Sequence, residues 1–261
     1  MITNGYANPY DKPLTELLEL LIEGNLNEIT YLDLSGTYPD EKEALLLTKF
    51  ISSENCKLKR LNLAHNNLAY GNAAIYCQIA DAIGKNQTIV HLDLGSNVRQ
   101  NLTPLYFIEP QTLNDFVERL AIAIKDHPCL ETLNLGENCL RKSIYKFIDN
   151  LPKTVKHLDL SRNSGISSTE IAYIFRQTTK IQTINLSNME PYIMFSNIEH
   201  IIRANTSIVD LKYFWYDSDQ MTDKKWLIDN AIETMLANNR NALNKASKAA
   251  KQLILIKKFK K

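Results

Sequence analysis

Between Leu58 and Leu68 the chain reads LKRLNLAHNNL, and from Leu130 it reads LETLNLGENCL. The same spacing opens at Ile29 (ITYLDLSGT), Ile89 (IVHLDLGSN), Val155 (VKHLDLSRN), Ile181 (IQTINLSNM) and Ile208 (IVDLKYFWY). The seven copies follow one another in steps of 29, 31, 41, 25, 26 and 27 residues. The last position is asparagine in four of them, Asn66, Asn97, Asn138 and Asn163, and Thr37, Met189 and Tyr216 in the others. This period leaves little freedom of fold. The L-x-L piece reads as a short strand, and alternation sends its two leucines to one face. One copy cannot bury that edge alone, whereas stacked copies make a continuous core. The asparagine ends the strand, where its side chain can bond backbone groups freed by the bend.

The segments between the copies read as helices. NAAIYCQIADAIGKN carries Ile75, Ile79 and Ile83 at spacing four, and TLNDFVERLAIAIKDHP does the same with Phe116, Leu120 and Ile124. STEIAYIFRQT and FSNIEHIIRAN are shorter versions. A strand followed by a true helix within each repeat resembles the ribonuclease-inhibitor-like class of leucine-rich repeats, over Ile29 to Tyr216. The resemblance implies an α/β solenoid: a curved parallel sheet on the concave side, helices on the convex side and helical caps at both ends. Residues 1–28 then hold an N-terminal segment and a capping helix in PLTELLELLIEGN. Residues 29–217 are the repeats, with an insertion at 98–113, and residues 218–261 form a helical cap with a basic tail.

With the strand leucines inward, their neighbours form two outward columns. One is Tyr31, Arg60, His91, Thr132, His157, Thr183 and Asp210; the other is Asp33, Asn62, Asp93, Asn134, Asp159, Asn185 and Lys212. At about 4.8 Å per strand they make a stripe roughly 29 Å long, wide enough for a protein interface. The varied first column is the candidate recognition surface, carried by Tyr31, Arg60, His91 and His157. Asp93, Asn134 and Asp159 are candidates from the second column, which short polar residues could equally occupy for packing alone. His65, Glu137 and Arg162 lie just past the strands and join the list. So do the aromatics Phe214 and Trp215 in KYFWYD, and Tyr106 and Phe107 in the apolar loop TPLYFIEP of the insertion. MEPYIMF, with Tyr192 and Phe195, is a lesser echo of that loop.

Composition closes off other classes. No phosphate-binding G-x-x-x-x-G-K-[ST], no H-E-x-x-H and no G-x-S-x-G occurs, so no enzyme class, cofactor or metal site is indicated. Cys56, Cys77, Cys129 and Cys139 have no C-x-x-C spacing and read as free thiols of a reducing compartment. The opening MITNGYANPYDK lacks the apolar core of a secretory signal, which points to the cytoplasm. Net charge is +1, yet no acidic residue follows Glu233, while Arg240 and seven lysines do.

The resulting expectation is a non-enzymatic, monomeric protein-binding module with a protein partner and no nucleic acid. In style the sequence also resembles the short leucine-rich-repeat effectors of intracellular bacterial pathogens. That resemblance implies secretion into a host cytosol and a partner that is a host protein or another effector. The ribonuclease-inhibitor likeness suggests that the concave face blocks an enzyme's active site. Two alternatives stand beside it. One is a GTPase activator of the Ran-type repeat class, with Arg60, Arg99, Arg141 or Arg162 acting in trans. The other is a membrane-surface adaptor using the basic helix.

Overall fold

The computed structural model describes residues 6–7, 14–24, 28–68, 73–97, 110–163, 165–189, 199–213 and 222–259. Among the described residues strands and helices alternate. They are β1 (Tyr6–Ala7), α1 (Leu14–Ile22), β2 (Tyr31–Asp33), α2 (Glu41–Ile51), β3 (Arg60–Asn62), α3 (Ala73–Lys85), β4 (His91–Asp93) and α4 (Pro110–Ile124), followed by β5 (Thr132–Asn134), α5 (Ser143–Asp149), β6 (His157–Asp159), α6 (Ser168–Gln177), β7 (Thr183–Asn185), α7 (Glu199–Ala204), β8 (Asp210–Lys212) and α8 (Thr222–Phe259). The eight strands pair in chain order in one parallel sheet. From β2 to β8 each residue faces the same repeat position on its neighbour, as in Leu61 opposite Leu92 and Leu92 opposite Leu133. The seven sequence copies are therefore seven strands in register. β1 is an eighth, which pairs with β2 through Tyr6 and Tyr31 and carries no leucine.

The core follows from the leucine spacing. Leu32, Leu61, Leu92, Leu133, Leu158, Ile184 and Leu211 at mid-strand are all buried, as are Leu34, Leu63, Leu94, Leu135, Leu160 and Leu186 two residues on. The first apolar residue of every copy, Ile29 through Ile208, is buried beneath them. The helices add Ile75, Ile79 and Ile83 from α3 and Phe116, Leu120 and Ile124 from α4, the stripes that the spacing predicts. Two helices open with a capping box, Asp40 with Glu43 at α2 and Ser167 with Glu170 at α6. At Gly84 in α3 the backbone of α4 comes so close that a Cβ would stand 2.3 Å from the Ala123 carbonyl oxygen.

Two rows of side-chain amides fasten the turns. Asn66 Nδ2 donates to the carbonyl oxygens of Leu63 and, one repeat back, Leu34; Asn97 does the same to Leu94 and Leu63, and Asn163 to Leu160 and Leu135. Asn138 reaches back to Leu94. The Oδ1 of each accepts a backbone N–H of the preceding repeat: Tyr38 for Asn66, Asn66 for Asn97, Asn97 for Asn138 and Asn138 for Asn163. In the first copy Thr37 Oγ1 donates to its own Leu34 carbonyl and to Asn66 Oδ1. A second row lies where helices return to strands. Asn86 Oδ1 accepts from the N–H groups of Thr88 and Ile89, and Asn205 Oδ1 from those of Ser207 and Ile208. His127 stands at the equivalent place between them, its Nδ1 accepting from Cys129 and Leu130.

Helices flank the seven repeats. α1 buries Leu17, Leu18 and Leu21 against the first repeat. α8 is one helix of 38 residues, and it buries Ala231, Ile232, Met235 and Leu236.

Candidate protein-binding face

The two outward columns have different jobs. In the Asp/Asn column one side-chain oxygen of each Asp and Asn is tied to its own turn. Asp33, Asn62, Asp93, Asn134, Asp159 and Asn185 each accept the backbone N–H two residues ahead, at 2.8–3.1 Å. This Asx bond closes the chain as it leaves the strand. From Asp33 to Asn185 the column also alternates, Asp then Asn, and the alternation has a physical cause. Adjacent strands set these side chains against each other, and two carboxylates there would repel. Instead Asn134 Nδ2 donates to Asp93 Oδ1 at 2.9 Å and Asn185 Nδ2 to Asp159 Oδ2 at 2.8 Å. Burial pushes the Asp33 carboxyl up, but hydrogen bonds from Ser35, Tyr31 and Asn62 outweigh it and hold Asp33 below the usual carboxylate range. Asp93, Asn134 and Asp159 thus hold the scaffold.

The other column is turned outward. Arg60 and Asp210 are exposed, and Tyr31, His91, Thr132, His157 and Thr183 are half-buried. Neighbours pair along it too: His91 Nδ1 lies 2.9 Å from Thr132 Oγ1, and His157 Nδ1 lies 2.8 Å from Thr183 Oγ1. Each bond engages one ring nitrogen of a half-buried imidazole. Burial, helped by the positive charge of Arg60, lowers the His91 pKa against the opposing pull of Glu131. His91 is therefore neutral near pH 7 and offers a hydrogen-bonding edge rather than a charge. A depression of about 360 Å³ runs between Thr132, His157, Asp210 and Lys212.

Beyond the strand ends lies a third row. His65, Ser96, Glu137, Arg162 and Asn188 hold left-handed backbone, with φ of 53–59°, where the first repeat has Gly36. That region costs a non-glycine residue roughly 1–2 kcal/mol, so the row projects side chains at a standing energetic cost. Ser96 Oγ donates to Glu137 Oε2 at 2.7 Å, and Arg162 Nη1 lies 3.7 Å from the same oxygen. His65, Ser96, Glu137 and Arg162 line a second depression of about 360 Å³ beside the first. His65, Glu137 and Arg162 are thus one row; Ser96 and Asn188 belong to it without having been expected.

Phe214, Trp215, Tyr106, Phe107, Tyr192, Phe195 and Arg99 lie outside the described residues. Among the described residues no three His, Cys, Asp or Glu side chains converge as metal ligands would, and no disulfide joins any of the four cysteines.

A parallel sheet in strict chain order, a helix after each strand and an asparagine row at the turns settle the architecture. The fold is a leucine-rich-repeat solenoid. A family profile described as a leucine-rich repeat matches residues 54–70. Among solved structures, human 5T4 (Wnt-activated inhibitory factor 1, trophoblast glycoprotein) is 23% identical, with a TM-score of 0.51 over 77% of this chain and 66% of that one. The leucine-rich repeat-containing protein LegL7 from Legionella pneumophila is 18% identical, with a TM-score of 0.45 over 87% of this chain and 78% of that one. The tropomodulin C-terminal domain of Caenorhabditis elegans is 14% identical, with a TM-score of 0.35 over 78% of this chain and 98% of that one. No curated protein matches the sequence significantly. At 23% identity the likeness to 5T4 speaks for the fold alone.

Proposed function

We propose that the concave face binds a protein, and that the chain acts by holding that partner rather than by catalysis. The observation that carries this reading is the division of labour between the columns. One is spent on turns and strand pairing, while the other presents Tyr31, Arg60, His91, His157 and Asp210, varied in size and charge, on a rigid rail. Rigidity lowers the ordering cost of association. The row of His65, Ser96, Glu137 and Arg162 extends the same surface.

The finer reading is that of a bacterial effector delivered into a host cytosol, whose concave face covers the active site of a host enzyme or of a fellow effector. It rests on the similarity of style noted in the sequence. A reporter fusion tests delivery: signal in host cells only when the bacterium has a working injection system supports it, and none under any condition refutes it. For the face itself the test is affinity capture with the parent and with an Arg60→Ala/His91→Ala/His157→Ala variant. A protein held by the parent and released by the variant supports the concave face, and its activity is then assayed with and without the solenoid. Equal retention by both refutes it.

A further inference from the structure

α8 outlasts its role as a cap. Among the described residues its last hydrogen bonds to the repeats come from Asn239, whose Nδ2 donates to the carbonyl oxygens of Asn205 at 3.0 Å and Ile208 at 2.7 Å, and from Arg240, whose Nε donates to Val209 O at 2.7 Å. The helix nevertheless continues to Phe259, about 28 Å further at 1.5 Å per residue. From Arg240 to Lys248 every residue is exposed, whichever way it faces, including Leu243 at 49%. Over Arg240–Lys248, exposed on every side, the helix gains nothing from packing, which is where most helical stability in proteins comes from.

The sequence of the projecting part is one-sided in charge. Eight Lys and Arg follow Glu233 with no Asp or Glu, so the remaining 22 basic and 29 acidic residues leave the rest of the chain near −7. Apolar residues are interspersed: Ala242, Leu243, Ala246, Ala249, Ala250 and the run Leu253–Ile256, with Lys251 before that run and Lys257 after it.

We propose that the part of α8 beyond Arg240 docks the protein on an anionic lipid bilayer. Two copies of this helix side by side would set lysines against lysines. A nucleic acid would meet the charges but offer nothing to exposed Leu243 or to a sequence as apolar as Leu253–Ile256. An anionic bilayer meets both at once, with headgroups for the ammonium ends and the acyl boundary for the apolar residues and the lysine stems. No described helix is long and apolar enough to cross a membrane, so α8 lies on the surface. The acidic remainder of the chain is repelled by the same headgroups, which holds the repeats, and the concave face with them, away from the bilayer.

The test is co-sedimentation of the full chain with phosphatidylcholine vesicles, with and without about a third phosphatidylserine. The parent is expected to partition onto the phosphatidylserine vesicles, to come off in about 0.5 M salt and to ignore pure phosphatidylcholine. Lys245→Gln/Lys248→Gln/Lys251→Gln is expected to weaken partitioning about 100-fold, at roughly fivefold per lysine. Its thermal midpoint is expected to match the parent's, because Lys245 and Lys248 are exposed beyond the cap. Leu253→Asn/Ile256→Asn is expected to weaken it too, and Arg60→Ala to leave it unchanged, which separates this inference from the concave-face reading. Three results would overturn the proposal: no partitioning of the parent onto anionic vesicles, equal partitioning onto both compositions, or a lysine variant that binds like the parent. Absence of vesicle binding together with duplex DNA binding, or with self-association lost in Leu253→Asn/Ile256→Asn, would reassign the helix to one of those partners.

Discussion

His127 makes the fold sensitive to acid, and His127→Asn should remove that sensitivity. The imidazole is 3% exposed. Its Nδ1 accepts two backbone N–H groups, so the proton of the neutral ring sits on Nε2, which is buried without a hydrogen-bond partner. Protonation would place a hydrogen on Nδ1 against two donors and a charge in an apolar interior. Burial accordingly drops the pKa to about 4 from the ordinary 6.5. The sign follows from linkage: above pH 6.5 the ring is neutral in both states and costs nothing. As pH falls toward 4 the unfolded chain takes up a proton that the folded chain refuses, and stability declines. At 1.36 kcal/mol per pH unit, the loss between pH 7.5 and pH 5 is about 2 kcal/mol. Asparagine already fills this place at Asn86 and Asn205, accepting the same pair of N–H groups, so the variant should fold normally at neutral pH. Urea unfolding of both proteins at the two pH values isolates the difference, because every other titrating group is shared. Parent and variant losing stability in parallel would refute the reasoning.

Three further outcomes are expected. Asn97→Ala deletes a buried amide that bonds the Leu63 and Leu94 carbonyls and the N–H of Asn66, and should cost about 3 kcal/mol in urea unfolding, at about 1–3 kcal/mol per stranded buried group. Asn134→Asp sets a second carboxylate where the Asn134 amide now meets Asp93 at 2.9 Å; it should destabilise at pH 7 by about 1–2 kcal/mol, and the deficit should shrink as acid protonates the pair. Gly84→Ala drives a Cβ into the Ala123 carbonyl and should cost at least about 2 kcal/mol, read as a lowered thermal midpoint; an unchanged midpoint would mean that α3 and α4 are not held so close.

The strands were legible because leucine at two fixed offsets can serve only one face of a two-residue period, so Leu61 and Leu63 announce both the strand and its side. The asparagine row was legible for a similar reason, since Asn66 and its equivalents stand where the backbone must bend. β1 was not, for Tyr6 and Ala7 carry no part of the repeat and pair only because β2 leaves an edge. The left-handed row escaped notice because its usual sign is glycine, and past Gly36 the sequence uses His65, Ser96, Glu137, Arg162 and Asn188 instead. The Asp/Asn column was visible as a column. Its purpose depends on a backbone N–H two residues on and an amide one strand away, and neither is written in the spacing.

The asparagine row also has a direction. Each amide grips the repeat before its own, so a repeat's hold on its predecessor survives the departure of its successor. The row stops at Met189, a buried side chain with no amide to reach back to Leu160. The last repeats are therefore the ones that can peel away while the stack they leave behind stays closed. In slow hydrogen exchange that makes protection a staircase, lowest at β8 and rising toward β4, and it places the first opening of the molecule beside the root of α8. A pull on that helix would be felt there before anywhere else.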